Sequence, residues 1–264
     1  MDLGIAGKVA FVSGGSKGMG RATSELLAAE GVRVIVAARG KEAVDETVEA
    51  IRTRGGQATG VSADLTKAAD VASAVAEGTE AFGPPDIAIT NVHGPGPGDF
   101  FDLSDDQFIA AFREMTLSVV YLTRLVVPHM KQQGWGRLVN IGSGAAKEPP
   151  PELAHMLANT TRASVVTLQK SLANELGQFG ITVNTLGTGW FGTDRMYDYI
   201  DALAGKHGST RDAVLTPFTS AIPARRVGRP EEMAAVVVFL CSVGAGYLTG
   251  EFINVDGGIH RSAF

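Results

Sequence analysis

The segment Ser13-Gly14-Gly15-Ser16-Lys17-Gly18-Met19-Gly20 holds the densest chemistry in the sequence. It follows an apolar run at 9–12 and opens a helix-like stretch at 21–30 that Gly31 ends. Glycines at a strand-to-helix turn let the chain turn tightly and bring backbone N–H groups against a pyrophosphate, which the helix N-terminus attracts. The spacing alone is weak, because glycines also end strands. Its place in the first strand-to-helix turn is what points to a dinucleotide.

The elements that must position this loop alternate along the chain. Strands are read at 9–12, 32–37, 57–62, 87–90, 136–141, 181–186 and 252–255. Helices are read at 21–30, from the second strand to about 54, and at 68–82, 104–133 (bent near Pro128), 152–179 and 231–242. Strands such as Val-Ala-Phe-Val lack polar alternation, which suits a sheet covered on both faces. Alternating strands and helices predict a single-domain α/β doubly wound Rossmann fold, a parallel sheet of about seven strands over 1–264. The stretch 187–229 reads as irregular and carries Trp190, Phe191, Met196, Tyr197, Tyr199 and Phe218. It is expected to be a substrate lid, or else a surface-packed helical insertion.

Composition excludes several classes. The 264 residues carry 23 basic and 28 acidic side chains, a net charge of −5, so no basic surface invites nucleic acid or anionic lipid. No apolar run approaches the ~20 residues of a membrane span. The first eight residues lack a signal-peptide pattern, and a cytoplasmic protein is expected. The single cysteine, Cys241, can form neither an internal disulfide nor a cysteine-based zinc site, and no metal is expected.

The chain resembles the short-chain dehydrogenase/reductase family over nearly its whole length. Ser13–Gly20 is similar to that family's T-G-x-x-x-G-x-G loop, and Ala63-Asp64-Leu65 to its adenine-contacting D-[VL] element. Asn91-Val92-His93-Gly94 resembles N-N-A-G with its middle residues changed. Gly136–Ser143 resembles G-R-I-V-N-I-S-S, which implies a catalytic serine at Ser143. The segments at 180–184, 229–232 and 249–258 resemble the remaining signatures. The resemblance implies cofactor contacts from Gly14, Ser16, Lys17, Gly18, Met19, Gly20, Asp64, Leu65, Asn91, Gly94, Arg162, Gly189 and Thr193. It also implies a homotetramer, paired through the helices at 104–133 and 152–179, with 257–264 at a second interface.

The end of the second strand selects between the two nicotinamide dinucleotides. A carboxylate there would bond both ribose hydroxyls and repel a 2′-phosphate. Here the position holds Ala38, followed by Arg39, with Lys17 in the glycine loop. Two cations and no carboxylate favour NADPH/NADP over NADH/NAD. The same two cations could also be solvated surface charges.

The family's catalytic tyrosine and the lysine four residues on have no counterparts. Alignment of the segment at 162–173 puts Ala158 and Arg162 at those positions, and Thr116 at the relay asparagine. None of the four tyrosines has lysine four residues later. A minor branch of the family, similar to 3-oxoacyl carrier-protein reductases, carries Asn and Arg as Asn159 and Arg162 stand here. His155 lies three residues before Ala158, near one helix face with Arg162, and titrates near neutrality. It is read either as a replacement proton donor or as a polar residue of an exposed first turn. His93 is a second candidate, or a loop-packing residue. Arg162 could bond the ribose and stabilise an anion, or pair with a carboxylate.

The leading expectation is an NAD(P)(H)-dependent oxidoreductase of the carbonyl reductase or alcohol dehydrogenase type, with Ser143, His155 and Arg162 forming a non-standard site. A dehydratase, isomerase or lyase on the same scaffold, or an inactive dinucleotide-binding protein, are the alternatives. The expected substrate is a small molecule, apolar or ring-bearing.

Overall fold

Alternating apolar residues of each strand are buried on opposite faces of one sheet. The computed structural model describes residues 2–91, 94–150 and 155–262. The first half runs β1 (Val9–Ser13), α1 (Gly18–Ala29), β2 (Arg33–Ala38), α2 (Lys41–Thr53), β3 (Gln57–Ser62), α3 (Ala68–Phe82) and β4 (Ile87–Thr90). The second runs α4 (Asp105–Phe112), α5 (Ser118–Gln133), β5 (Gly136–Ile141), α6 (Met156–Leu176), β6 (Ile181–Thr188), α7 (Asp194–Lys206), α8 (Arg211–Ala221), α9 (Pro230–Cys241) and β7 (Phe252–Val255). Ala10, Val12, Val34 and Val36 enter one core, with Met233 and Val237 of α9. Val9, Phe11, Ile35 and Ala37 enter the other, with Leu122 and Val126 of α5. This two-sided burial is why the strands show no polar alternation.

All seven strands pair in parallel, in the order β3-β2-β1-β4-β5-β6-β7. From β1 the chain builds outward through β2 and β3, then returns to β4 on the other side. The loops after β1 and β4 therefore diverge, leaving a crevice at the carboxyl ends of the strands where such sheets bind ligands. The single-domain doubly wound architecture is the one the sequence predicts.

Three local expectations need correction. The helical region at 104–133 is interrupted at Arg113–Leu117, a π-turn, and Pro128 lies inside α5 without ending it. Thr116 and Met115 sit in that turn and bond α6: Thr116 Oγ1 lies 2.6 Å from Ser164 Oγ, and the Thr161 hydroxyl donates to the Met115 sulfur at 3.0 Å. The first helix begins at Gly18, inside the glycine loop, and not at residue 21. The stretch 187–229 is not irregular, since β6 extends to Thr188 and α7 and α8 follow. Trp190 packs on Phe218 at 4.7 Å and stacks on Tyr199 at 6.3 Å, so these rings fasten α7 to α8.

Candidate active site

The glycine loop stands at the switch point between β1 and β4. Gly14 has φ +61°, and a Cβ there would sit 2.6 Å from the Asn91 carbonyl oxygen at the end of β4. A Cβ on Gly20 would overlap the Gly14 carbonyl. These two positions need glycine for different reasons, one conformational and one steric. Lys17 stands at the start of α1 without a side-chain cap, and the first turn carries no acidic residue. The N–H groups and positive end of α1 are therefore left for an external anion. Gly18 lies against Thr193, whose hydroxyl accepts from the Met196 amide and caps α7. The Thr47 hydroxyl donates to the carbonyl of buried Ser16, holding Met19 and its neighbours over the sheet.

At the other end of the crevice, Ala38 closes β2 and the Ser62 hydroxyl donates to the Arg39 carbonyl at 3.0 Å. The Lys17 and Arg39 side chains are exposed, and neither has an ion-pair partner among the described residues. Asp64 is more committed. Its carboxylate accepts from the Thr66 hydroxyl at 2.8 Å and pairs with Lys67 at 3.3 Å. The Thr66 bond, helped by Lys67, holds it below the usual aspartate range against partial burial. Leu65 packs on the adjoining core.

A cleft of about 130 Å³ opens past the ends of β4, β5 and β6. Met19 of the glycine loop, Asn91, Ser143, Thr188, Arg162 and Arg195 all line it. The Thr188 hydroxyl donates to the Gly142 carbonyl at 3.0 Å, and the Ser143 hydroxyl accepts from the Ala145 amide at 3.3 Å. Both bonds fix where the Ser143 side chain leaves β5. Gly189 packs against Asp256 beyond β7, where a Cβ would come within 2.8 Å of the Asp256 Cα.

From α6, Arg162 reaches back so that its guanidinium lies against Gly94, 3.4 Å from where a Cβ would be. No carboxylate pairs with it among the described residues, so the alternative of a structural ion pair is not what is seen. Burial, and then the charge of Arg195, push its pKa down to about 10. His155 stands at the N-terminus of α6, its backbone bridged to Gly98. It is half-buried and does not line the cleft. Burial, then Arg162 and Arg195, lower its pKa below the ordinary 6.5. His93 lies outside the described residues. Ala158 is 2% exposed, packed inside α6.

The structure thus brings together Gly14, Met19, Asn91, Ser143, Arg162 and Thr193, leaves His155 one step back, and adds a residue that motif reading missed. Arg195 belongs to no signature, and the only hint was a cation two residues past Thr193 in an acidic chain. Trp190, Phe191, Met196 and Tyr197 are not among the residues that line this cleft. Phe191 is core, 6% exposed.

A parallel doubly wound sheet with a glycine loop at its switch point defines a dinucleotide-fold protein. The family described as Enoyl-(Acyl carrier protein) reductase matches over residues 14–260. The short-chain reductase protein NovJ of Streptomyces niveus is 37% identical over 251 residues, covering 95% of this chain and 93% of that protein. The NADPH-dependent reductase BacG of Bacillus subtilis is 29% identical, covering 97% and 98%. The structure of L-sorbose reductase from Gluconobacter frateurii, complexed with NADPH and L-sorbose, superposes with a TM-score of 0.94 at 28% identity, covering 99% of this chain and all of that one. The chain belongs to the short-chain dehydrogenase/reductase family.

Proposed function

We propose that the chain is an NADPH-dependent carbonyl reductase (in reverse, an alcohol dehydrogenase) whose proton chemistry departs from the family's. The observation that carries this reading is one cleft shared by Met19 of the glycine loop, Ser143 and Arg162. NovJ and BacG are both named reductases, and the L-sorbose reductase structure holds NADPH, which supports the same cofactor here.

The residues present fit that cofactor. Gly14, Ser16, Gly18, Met19 and Gly20, with the open end of α1, would hold the pyrophosphate. Lys17 and Arg39 would pair with the 2′-phosphate, which Ala38 does not repel. Asp64 and Leu65 would flank the adenine, Asn91, Gly94 and Arg162 the nicotinamide ribose, and Gly189 and Thr193 the nicotinamide end. When bound, NADPH supplies the hydride. Ser143 donates a hydrogen bond to the substrate carbonyl. Ala158 offers no phenol where the family resemblance implies an acid, and Arg162 would supply a fixed charge that cannot relay protons. His155, at the N-terminus of α6 and within electrostatic reach of Arg162 and Arg195, is the candidate proton carrier. Its lowered pKa makes the neutral imidazole the dominant form near pH 7, a base suited to taking a proton from an alcohol. The lid is assigned to α7 and α8.

The deciding experiment measures NADPH and NADH binding by fluorescence, then follows nicotinamide oxidation across a panel of ketones and aldehydes. Tight NADPH binding with turnover on some member is expected. Tighter NADH binding, or NADPH binding without turnover on any carbonyl or alcohol, sinks the reading and favours a non-redox or purely binding role.

A further inference from the structure

We propose that the substrate is an oxo acid, its carboxylate held between Arg162 and Arg195 while its carbonyl meets Ser143. The inference rests on the reductase reading and narrows its substrate class.

Both arginines line the same cleft, and among the described residues no Asp or Glu lines it. Among the described residues neither arginine has a hydrogen-bond or ion-pair partner. Several other arginines are held by acceptors, while the unpaired Arg39, Arg113 and Arg124 are exposed on the surface. Arg137 donates to the carbonyls of Gly136 and Ser242, Arg52 to that of Ala58, and Arg226 to the Glu232 carboxylate. What sets Arg162 and Arg195 apart is that two unpaired cations line one cleft, with Arg162 partly buried, in a chain of net charge −5.

Physical cost makes the exception informative. A half-buried cation loses hydration, and without a counterion nothing offsets the loss. Burial lowers the pKa of both arginines, and the charge of Arg195 lowers that of Arg162 further. An entering anion relieves both. The cofactor's phosphates do not need these two groups, because the glycine loop, the uncapped end of α1, Lys17 and Arg39 already face them. The surplus charge is left for the substrate.

Geometry selects the anion. A guanidinium presents a planar fork that matches a carboxylate at two points. Arg195 is at the exposed mouth, in the first turn of α7, and Arg162 is deeper, against Gly94. A carboxylate between them leaves the rest of the molecule directed along the cleft to Ser143. The rings of Trp190, Tyr199 and Phe218, occupied with one another, offer no competing stack for an aromatic ligand. The reaction consumes one carbonyl, one NADPH and one proton and returns one alcohol and one NADP⁺. The carboxylate passes through unchanged.

Titration calorimetry on the full chain, with and without NADP⁺, compares levulinate and phenylpyruvate with their methyl esters. Each acid is expected to bind about tenfold or more tightly than its ester, the difference one charge-assisted hydrogen bond makes. Arg195→Gln removes most of that preference, Arg195→Lys recovers part, and NADP⁺ affinity is unchanged. Acids binding no tighter than esters overturn the inference. So does inorganic phosphate displacing them as well as a carboxylate does, which would assign the pair to a phosphoryl group. If Arg195→Gln weakens NADP⁺ and leaves the acids alone, the arginines serve the cofactor and the inference falls with the reductase reading intact. Failure of NADP⁺ to bind at all removes the reductase reading, while acid-against-ester binding to the protein alone still decides this one.

Discussion

At the scale of single residues, charge decides both ends of the crevice. Ala38 and Arg39 follow one another at the end of β2, and their order sets which anion the adenosine end tolerates. Replacing Ala38 by Asp and Arg39 by Gln installs a ribose acceptor and removes a phosphate partner. NADPH affinity should fall about tenfold or more and NADH affinity should rise, measured by fluorescence titration. An unchanged NADPH to NADH ratio would remove Arg39 from the cofactor site. Nearer the chemistry, His155 is pushed toward its neutral form by burial, Arg162 and Arg195 together. A base with a lowered pKa is already deprotonated at pH values where an ordinary histidine, at 6.5, is half charged. Alcohol oxidation should therefore rise with pH with its midpoint below that value, while carbonyl reduction, which needs the imidazolium, falls through the same window. His155→Ala should abolish this limb and cost ~10²–10⁴ in turnover, with cofactor affinity nearly unchanged. A pH profile identical in the variant would transfer the proton to water or to the substrate.

At the scale of elements, the glycine loop shows how backbone proximity becomes function. A methyl on Gly20 would overlap the Gly14 carbonyl, so α1 and the loop must separate before Gly20→Ala can fold. That variant should lose about 1–3 kcal/mol by overpacking, read from denaturant unfolding, and bind NADPH more weakly in step. Stability lost with NADPH affinity intact would free the loop from the cofactor. This loop was legible in the sequence because glycine is the one residue its geometry allows. Strands 57–62, 87–90, 136–141 and 252–255 were legible to the residue, each preceded by glycine or proline within three positions. The break at Arg113–Leu117 was not, because it depends on Met115 and Thr116 meeting Thr161 and Ser164 across some 46 to 48 residues of chain. Pro128, the local signal, is carried inside α5 without ending it. Arg195 was missed for the same reason. Its place in the cleft follows from how α7 lies on the glycine loop, which no spacing in 187–229 encodes. Ring content there described the seam between α7 and α8, not a pocket.

At the scale of the whole molecule, two separate apolar regions remain exposed. Ile109 and Phe112 of α4, Leu125 of α5 and Met156 of α6, on the helices the family resemblance pairs, are one set with Phe101, which is 96% exposed. Phe239 of α9, Val243, Tyr247 and Leu248 form the other. Exposed apolar groups of this size mark surfaces that another molecule covers. If each set pairs with its own copy across a two-fold axis, the two axes together would close as a tetramer. The second group lies at 239–248, ahead of the 257–264 segment that the family resemblance implies. A homotetramer is therefore expected by sedimentation at micromolar concentration. The two interfaces should separate by mutation, because they share no residue. Tyr247→Arg with Leu248→Glu should stop assembly at a dimer held by the α4–α6 side. Phe112→Glu with Leu125→Glu should leave the dimer of the other side. Because none of the four substituted residues lines the cleft, both dimers should keep NADPH affinity. A monomeric mass for the unmodified protein would end the argument. A tetramer that survives both pairs of substitutions would place its interfaces elsewhere on the surface.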